Sequence, residues 1–392
     1  MAIQPLKVGL IGSGAISYTY LNTMVNTFDI LEVVGCSDLI PERSKARAEL
    51  FGIRQMTNEE IFSDPDIDIV VNTTYPSSHY EINRQALLAG KHVYCEKTMA
   101  ATYEEGLDLV NLARERGLRL GATPDTFLGG GFQTCRKLID DGMIGEPVTV
   151  DARLVRSYGA GGAAPFGRPG GMFVPGGSVP YDMGGYYTHA LIHLLGPVAR
   201  VSGFARKRPR NFTHPRNAHY GEPVEVTGAT TIVGALEFVG GCYGTLTVTS
   251  DGAATDTCIT VFGTEGTLIC PDPNEFSGPI YLIRKGNPTP MLMPFTHGYC
   301  NLDPSTPTLS GKREPGHNAH RGMGVADMAW AIRNNRPHRA SGEMGLHTLE
   351  IIDGIAKSCE TGLVYTMQSR PAQPAPLPAG YFGGDAEGCL DN

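Results

Sequence analysis

The feature that most constrains this chain is the alternation of strand and helix signals across its first third. Lys7 to Ile11 is a short apolar run broken by Gly12, and Ala15 to Thr27 follows with helical character. Ile30 to Ser37 reads as the next strand, and Pro41 to Phe51 as a helix with its proline in the first turn. Asp68 to Thr73, His92 to Cys95 and Leu118 to Ala122 are strand-like. His79 to Ala89 and Thr102 to Arg116 are helical, stopping at Gly90 and Gly117. Apolar runs separated by helices predict a parallel sheet covered on both faces.

The pattern changes after a helix expected over Phe132 to Asp141. Pro147 to Val155, Val198 to Ala205, Val224 to Glu237, Cys242 to Ser250, Cys258 to Phe262 and Thr267 to Cys270 read as strands. Turn residues such as Gly240-Gly241 punctuate them, which suits a large, mostly antiparallel sheet. Two later helices are expected, Gly324 to Asn334 and Gly345 to Thr361. With 392 residues, 41 % of them apolar, the chain is long enough for two cores. The expected fold class is α/β plus α+β. An N-terminal Rossmann domain would span 1–124, a second domain 125–370, and an extended or disordered Pro/Gly-rich tail 371–392.

In an open α/β sheet, ligands bind at the carboxyl ends of the strands. Gly12-x-Gly14-x-x-Ser17 follows the first strand at that end. Gly12 permits a tight turn, Gly14 lets backbone approach a pyrophosphate at a helix N-terminus, and Ser17 is small enough for the third glycine's packing role. Asp38 closes the second strand about 20 residues further on. Its carboxylate can accept from both ribose hydroxyls and repels a 2′-phosphate, which favours NAD over NADP. Gly90-Lys91-His92-Val93-Tyr94-Cys95-Glu96-Lys97 delivers an acid and a lysine to another strand end. There Lys97 can point at a bound nicotinamide and hold a hydroxyl that is losing hydride.

These motifs together resemble the glucose–fructose oxidoreductase and inositol dehydrogenase family (Gfo/Idh/MocA). Gly90 to Lys97 resembles its hallmark, and Thr74-Tyr75-Pro76-Ser77-Ser78-His79 its Thr-containing loop. Leu138 to Pro147 resembles its passage into the second domain, and Arg321-Gly322 and Arg339 to Gly342 its C-terminal pattern. The resemblance implies an NAD site formed by Gly12, Ser13, Gly14, Ala15, Ile16, Asp38, Arg43, Thr74, His79, Glu96 and Lys97. It also implies a homo-oligomer, a dimer or tetramer built through the C-terminal sheet. One departure is Thr98, where the family usually has proline after the lysine; this bears on the aim of Lys97.

The family's second catalytic element, D-x-x-x-H, aligns with Asp182-Met183-Gly184-Gly185-Tyr186, so Tyr186 stands at the histidine position. An unaided phenol titrates near pH 10 and is a poor base at neutrality. A neighbouring Lys97 ammonium and a nicotinamide cation would lower its pKa. Tyr186, His189 and His193 share one helix face by spacing. His189 is therefore an alternative base, with Tyr186 then a substrate clamp, and His193 reads as supporting or core. No third ligand accompanies His189 and His193, and no metal is expected.

The implied activity is NAD-dependent oxidation or reduction of a secondary hydroxyl of a sugar, polyol or glycoside, with catalysis by Lys97, Asp182, Tyr186 and His189. Two alternatives stay open: an NAD-dependent glycoside hydrolase working by transient oxidation and elimination, and a non-catalytic NAD sensor. The glycine-rich stretch from Ser157 to Ser178 reads as a connection or a substrate lid. Arg206 to Arg210 reads as a solvated basic loop. A net charge of −8 argues against nucleic acid. Nine scattered cysteines without a C-x-x-C pair suit a reducing compartment. With no signal-like h-region and no run of about 18 apolar residues, a cytoplasmic protein with no membrane span is expected.

Overall fold

The computed structural model describes residues 4–157, 176–209, 221–223, 225–300, 320–381 and 383–391. The first domain contains β1 (Leu6–Ile11), α1 (Ser17–Asn26), β2 (Leu31–Ser37), α2 (Pro41–Phe51), β3 (Arg54–Gln55), α3 (Asn58–Ser63), β4 (Ile69–Asn72), α4 (Pro76–Leu88), β5 (His92–Cys95), α5 (Tyr103–Glu115) and β6 (Leu120–Ala122). Its sheet has the order β3-β2-β1-β4-β5-β6, and every pairing is parallel. This is the doubly wound arrangement in which strand order reverses beside β1. The central strands are mostly apolar because helices cover both faces: Val8, Leu10, Ile69, Val70 and Val71 are fully buried. The short β3 and α3 were not anticipated. A capping box was the available signal for α3, with Thr57 accepting from the Glu60 amide and Glu60 accepting from that of Thr57.

The second domain follows with α6 (Gly130–Asp140), β7 (Pro147–Ser157), α7 (Val179–Asp182), α8 (Gly184–Leu195), β8 (Val198–Arg206), β9 (Thr231–Phe238), β10 (Tyr243–Thr249), β11 (Asp251–Gly263), β12 (Gly266–Cys270), β13 (Tyr281–Arg284), β14 (Asn287–Leu292), α9 (Met323–Arg333), α10 (Gly342–Thr361) and β15 (Tyr365–Thr366). Nine strands form one sheet in the order β14-β13-β12-β11-β7-β10-β9-β8-β15. All its pairings are antiparallel except that of β7 with β10. Burial alternates along β9 and β10, so one face meets helices and the other is bare. Helix α8 is buried on nearly every side, and its residues are accordingly apolar or aromatic with few charges.

The chain returns to the first domain near its end. The Ala122 amide donates to the Ala340 carbonyl at 3.0 Å, and Gly121 and Ser341 form an antiparallel bridge beside β6. Leu346 and Leu349 of α10 then join the core of the first domain. Over 371–380 the chain has no regular secondary structure and is hydrogen-bonded to the second domain. Gln133 accepts from the Leu377 amide at 2.7 Å, and Gln373 donates to the His193 carbonyl at 2.9 Å. A short 3-10 helix, Gly383–Leu390, closes the described chain. Among the described residues, no helix is long and apolar enough to cross a membrane.

Candidate functional site

The loop after β1 carries the first part of the site. Gly12 has φ +101°, and a Cβ there would lie 2.7 Å from backbone atoms of Thr73 and Thr74. Glycine is therefore required by the protein's own backbone. Gly14 differs, since a Cβ there would meet nothing within 4 Å. The space beside it is open, which fits close approach by a ligand. Ser17 donates to the Gly14 carbonyl at 2.6 Å and accepts from Arg47 at 3.2 Å. Ala15 is exposed and Ile16 half-buried. The first turn of α1 has no side-chain cap and no acidic residue; Thr19 and Tyr20 donate to the Ile16 carbonyl, and the positive end of the helix faces the open space beside Gly14. Asp38 accepts from the amides of Ser13 and Ile40, each at 2.8 Å, so it ties β2 to this loop. A carboxylate has lone pairs beyond those two bonds. Arg43 is exposed in the first turn of α2, five residues beyond Asp38. These residues fit a dinucleotide.

Thr74 and His79 sit differently. Thr74 donates its hydroxyl to Asn72 at 2.7 Å. His79 is fully buried, with Nδ1 at 2.5 Å from the Thr98 carbonyl and Nε2 at 3.1 Å from that of Thr74. Burial pushes its pKa down against those carbonyls. With both ring nitrogens facing backbone carbonyls, His79 braces the two loops. Lys91 is also bracing, donating to the carbonyls of Asp64 and Ile67.

Glu96 and Lys97 follow directly on strand β5. Glu96 accepts from the Tyr20 hydroxyl at 2.7 Å and from the Lys97 amide at 3.1 Å. The Lys97–Thr98 bond is cis, and Thr98 donates to the Gly176 carbonyl at 2.9 Å. Lys97 Nζ lies 2.5 Å from Asp182 Oδ1 and 5.5 Å from the centroid of the Tyr186 ring. Burial opposes its charge, but Asp182, Tyr186 and Glu96 outweigh that and hold its pKa above the ordinary lysine value. Lys97 is a cation at neutral pH. Thus the end of β5 in one domain meets the α7–α8 junction of the other.

The Tyr186 oxygen accepts from Arg321 Nη2 at 2.7 Å, and the guanidinium carbon lies 5.1 Å from the ring centroid. Arg321 also donates to Asn274 Oδ1 at 3.1 Å, and its Nη1 is 4.0 Å from buried Asp125. Burial raises the phenol pKa, while Arg321 and Lys97 pull it down. Net depression by Lys97, as the sequence suggested, does not occur in the protein alone, because desolvation of the phenolate dominates. Sequence reasoning gave Arg321 no role at the site. It lies 135 residues from Tyr186, and the Arg321-Gly322 pattern does not by itself say what the guanidinium meets.

His189 lies one turn along α8 but faces elsewhere. Its Nδ1 meets the Pro124 carbonyl at 2.8 Å, and Phe127 packs edge-on with ring centroids 6.1 Å apart. Burial pushes its pKa down to about 4. Among the described residues its Nε2 has no hydrogen-bond partner, and His189 helps line a cavity of about 10 Å³ with Lys97, Thr123 and Pro124. His193 is buried, beside Gln133 at 3.3 Å. Among the described residues, no group of three or more His, Cys, Asp or Glu side chains could hold a metal ion. The candidate lid over 158–175 lies outside the described residues, as does Arg210 of the basic run.

Family comparison agrees with this construction. Residues 6–123 match the oxidoreductase family with an NAD-binding Rossmann fold, and residues 132–269 match the GFO/IDH/MocA C-terminal domain. The chain belongs to the Gfo/Idh/MocA family. It is 31 % identical over 201 residues to an uncharacterized oxidoreductase of Schizosaccharomyces pombe, covering 50 % of this chain and 53 % of that one. It is 28 % identical over 250 residues to the D-glucoside 3-dehydrogenase of Escherichia coli, covering 62 % and 69 %. The chain spans about half the length of the first curated relatives it matches. Levoglucosan dehydrogenase, solved with NADH, shares the fold with a TM-score of 0.73 at 20 % identity, covering 93 % of this chain and all of that one.

Proposed function

We propose that this protein is an NAD-dependent dehydrogenase acting on a secondary hydroxyl of a sugar, polyol or glycoside. The observation that carries this reading is the convergence of Lys97 with Asp182 and Tyr186 across the domain junction. NAD, when bound, supplies the hydride acceptor. Gly12, Ser13, Gly14 and the first turn of α1 would hold its pyrophosphate, and Asp38 its ribose, with Arg43 beside it. The resemblance of 62 % of the chain to a D-glucoside 3-dehydrogenase favours a glycoside among the candidate substrates.

Oxidation removes a hydride from the carbinol carbon and a proton from its oxygen. Lys97, held cationic, stabilises the oxygen as negative charge develops there. Asp182 fixes the Lys97 ammonium and presents a carboxylate to a neighbouring hydroxyl. Tyr186 takes the proton. His189 is the weaker candidate, since its pKa of about 4 gives it little drive to accept a proton at neutrality. Orientation of the alcohol by the same three groups supplies the rest of the catalysis. The bare outer face of the second sheet, where exposed Phe204 of β8 lies opposite Val233 of β9, supports assembly into a homo-oligomer.

An activity screen with NAD across sugars, polyols and glycosides, followed by product analysis, tests the proposal. Net NADH with an oxidised product is expected. Release of an aglycone without net NADH would replace it with the hydrolase reading.

A further inference from the structure

We propose that Arg321 is a positioning residue that holds the Tyr186 hydroxyl in place and selects its ionised form as the base. This rests on Tyr186 acting as the base in the reaction set out above. A guanidinium has donors and no acceptor. In the 2.7 Å bond from Arg321, the Tyr186 oxygen must therefore accept. The phenolic hydrogen is turned away from Arg321 and can only be given outward. Once that hydrogen is lost, the oxygen gains a second lone pair facing the substrate while Arg321 keeps its grip on the first.

Two cations flank the ring, but they are not equivalent. Lys97 reaches only the ring face, 5.5 Å from its centroid, and its ammonium is committed to Asp182 at 2.5 Å. Arg321 touches the oxygen itself. The group that stabilises a phenolate most directly is thus an arginine from just before α9, not the lysine of β5. Arg321 is 2 % exposed, so solvent does not dilute its charge. It is fixed from behind: Asp125 lies 4.0 Å from Nη1 and accepts from the amides of Gly322 and Gly324 at 3.3 and 3.0 Å. Asn274 accepts from the same Nη2 that meets Tyr186. Glu96 and Asp182 also act on the phenol and oppose its ionisation. Burial opposes the Arg321 charge, but Tyr186, Glu96, Asp125 and Tyr20 act the other way and outweigh it, so it stays protonated.

The test compares Arg321→Lys and Arg321→Gln, each alone and combined with Tyr186→Phe. Two readouts are used: near-ultraviolet tyrosinate titration of the protein, and the pH profile of kcat/KM with NAD and methyl glucoside or the alcohol found by the screen. Subtracting each Tyr186→Phe partner isolates the Tyr186 titration. In Arg321→Gln that titration and the low-pH limb should both rise by about 1–3 pH units, the usual effect of removing an opposite charge at contact distance. Arg321→Lys should fall between this variant and wild type. With Tyr186→Phe present, Arg321→Gln should cause no further loss. Arg321→Gln leaves buried Asp125 without its cation, and if it fails to fold the lysine variant decides. A Tyr186 titration and limb that stay at their wild-type positions in Arg321→Lys and in any folded Arg321→Gln overturn the proposal, even if activity falls. Near wild-type turnover in Tyr186→Phe alone instead overturns the assignment of the base.

Discussion

The nucleotide loop and the charged cluster at the domain junction are held together in opposite ways. The loop uses backbone: a glycine at φ +101°, open space beside Gly14, and amides bound by Asp38, all within residues 12–40. The cluster uses buried side chains drawn from positions 97, 182, 186 and 321. A site built from neighbouring backbone keeps its shape when one side chain changes. A site built from mutually charged, buried groups does not, because each group sets the protonation and position of the others. The two regions should therefore fail independently, the first in cofactor affinity and the second in turnover.

The largest effect expected is at Lys97. Lys97→Met removes the ammonium and keeps much of the side chain, so turnover should fall by at least the roughly 10²–10⁴-fold of a positioned catalytic group. NAD affinity, measured by titration, should stay close to wild type. A large loss of NAD affinity would break the separation drawn above, and near wild-type turnover would remove Lys97 from the mechanism.

Next comes the contrast between two residues on α8. Tyr186→Phe should lose turnover on the same roughly 10²–10⁴-fold scale, and His189→Asn clearly less. Burial raises the Tyr186 pKa, so the alcohol oxidation rate should climb with pH up to the phenol's titration. If His189 were the base, its depressed pKa would place the limb near pH 4 and leave the neutral range flat. A profile of that form, with the ranking of the two variants reversed, would transfer the role to His189.

The two regions also differ in how far the sequence revealed them. Gly12, Gly14 and Asp38 were legible because a strand, a turn and a helix start impose their spacing locally. Lys97 and Asp182 were singled out through motifs, but the 2.5 Å contact between them spans 85 residues and neither motif gives it. The role of Arg321 was not legible, since its partners Tyr186, Asn274 and Asp125 lie 135, 47 and 196 residues away. His79 shows the reverse: its position in a motif was plain and its Thr74 carbonyl partner is local, but its contact with the Thr98 carbonyl could not be read from the motif. The same limit applied to β13 and β14. β13 is only four residues long, and Pro288 and Pro290 argue against a strand at β14 until its pairing at the edge of the sheet is seen.

The smallest effect, and the one confined to the loop, is at Asp38. Both its oxygens already accept backbone amides, so the carboxylate shapes the loop as well as meeting a ribose. Asp38→Ser removes the shape, the acceptor and the charge together. NAD should bind roughly tenfold more weakly or worse, the scale of a lost bond to a charged group, and discrimination against NADP should relax. Asp38→Asn separates these contributions. It keeps a carbonyl acceptor at nearly the same place and removes only the charge that repels a 2′-phosphate, so NADP should gain more than NAD loses. Exposed Arg43 nearby would aid that gain. In both variants turnover at saturating cofactor should stay near wild type, because no Asp38 bond reaches Lys97, Asp182 or Tyr186. A turnover loss comparable to that of Lys97→Met would show that the two regions are coupled. A wild-type preference for NADP in binding titrations would remove the discriminating role from Asp38.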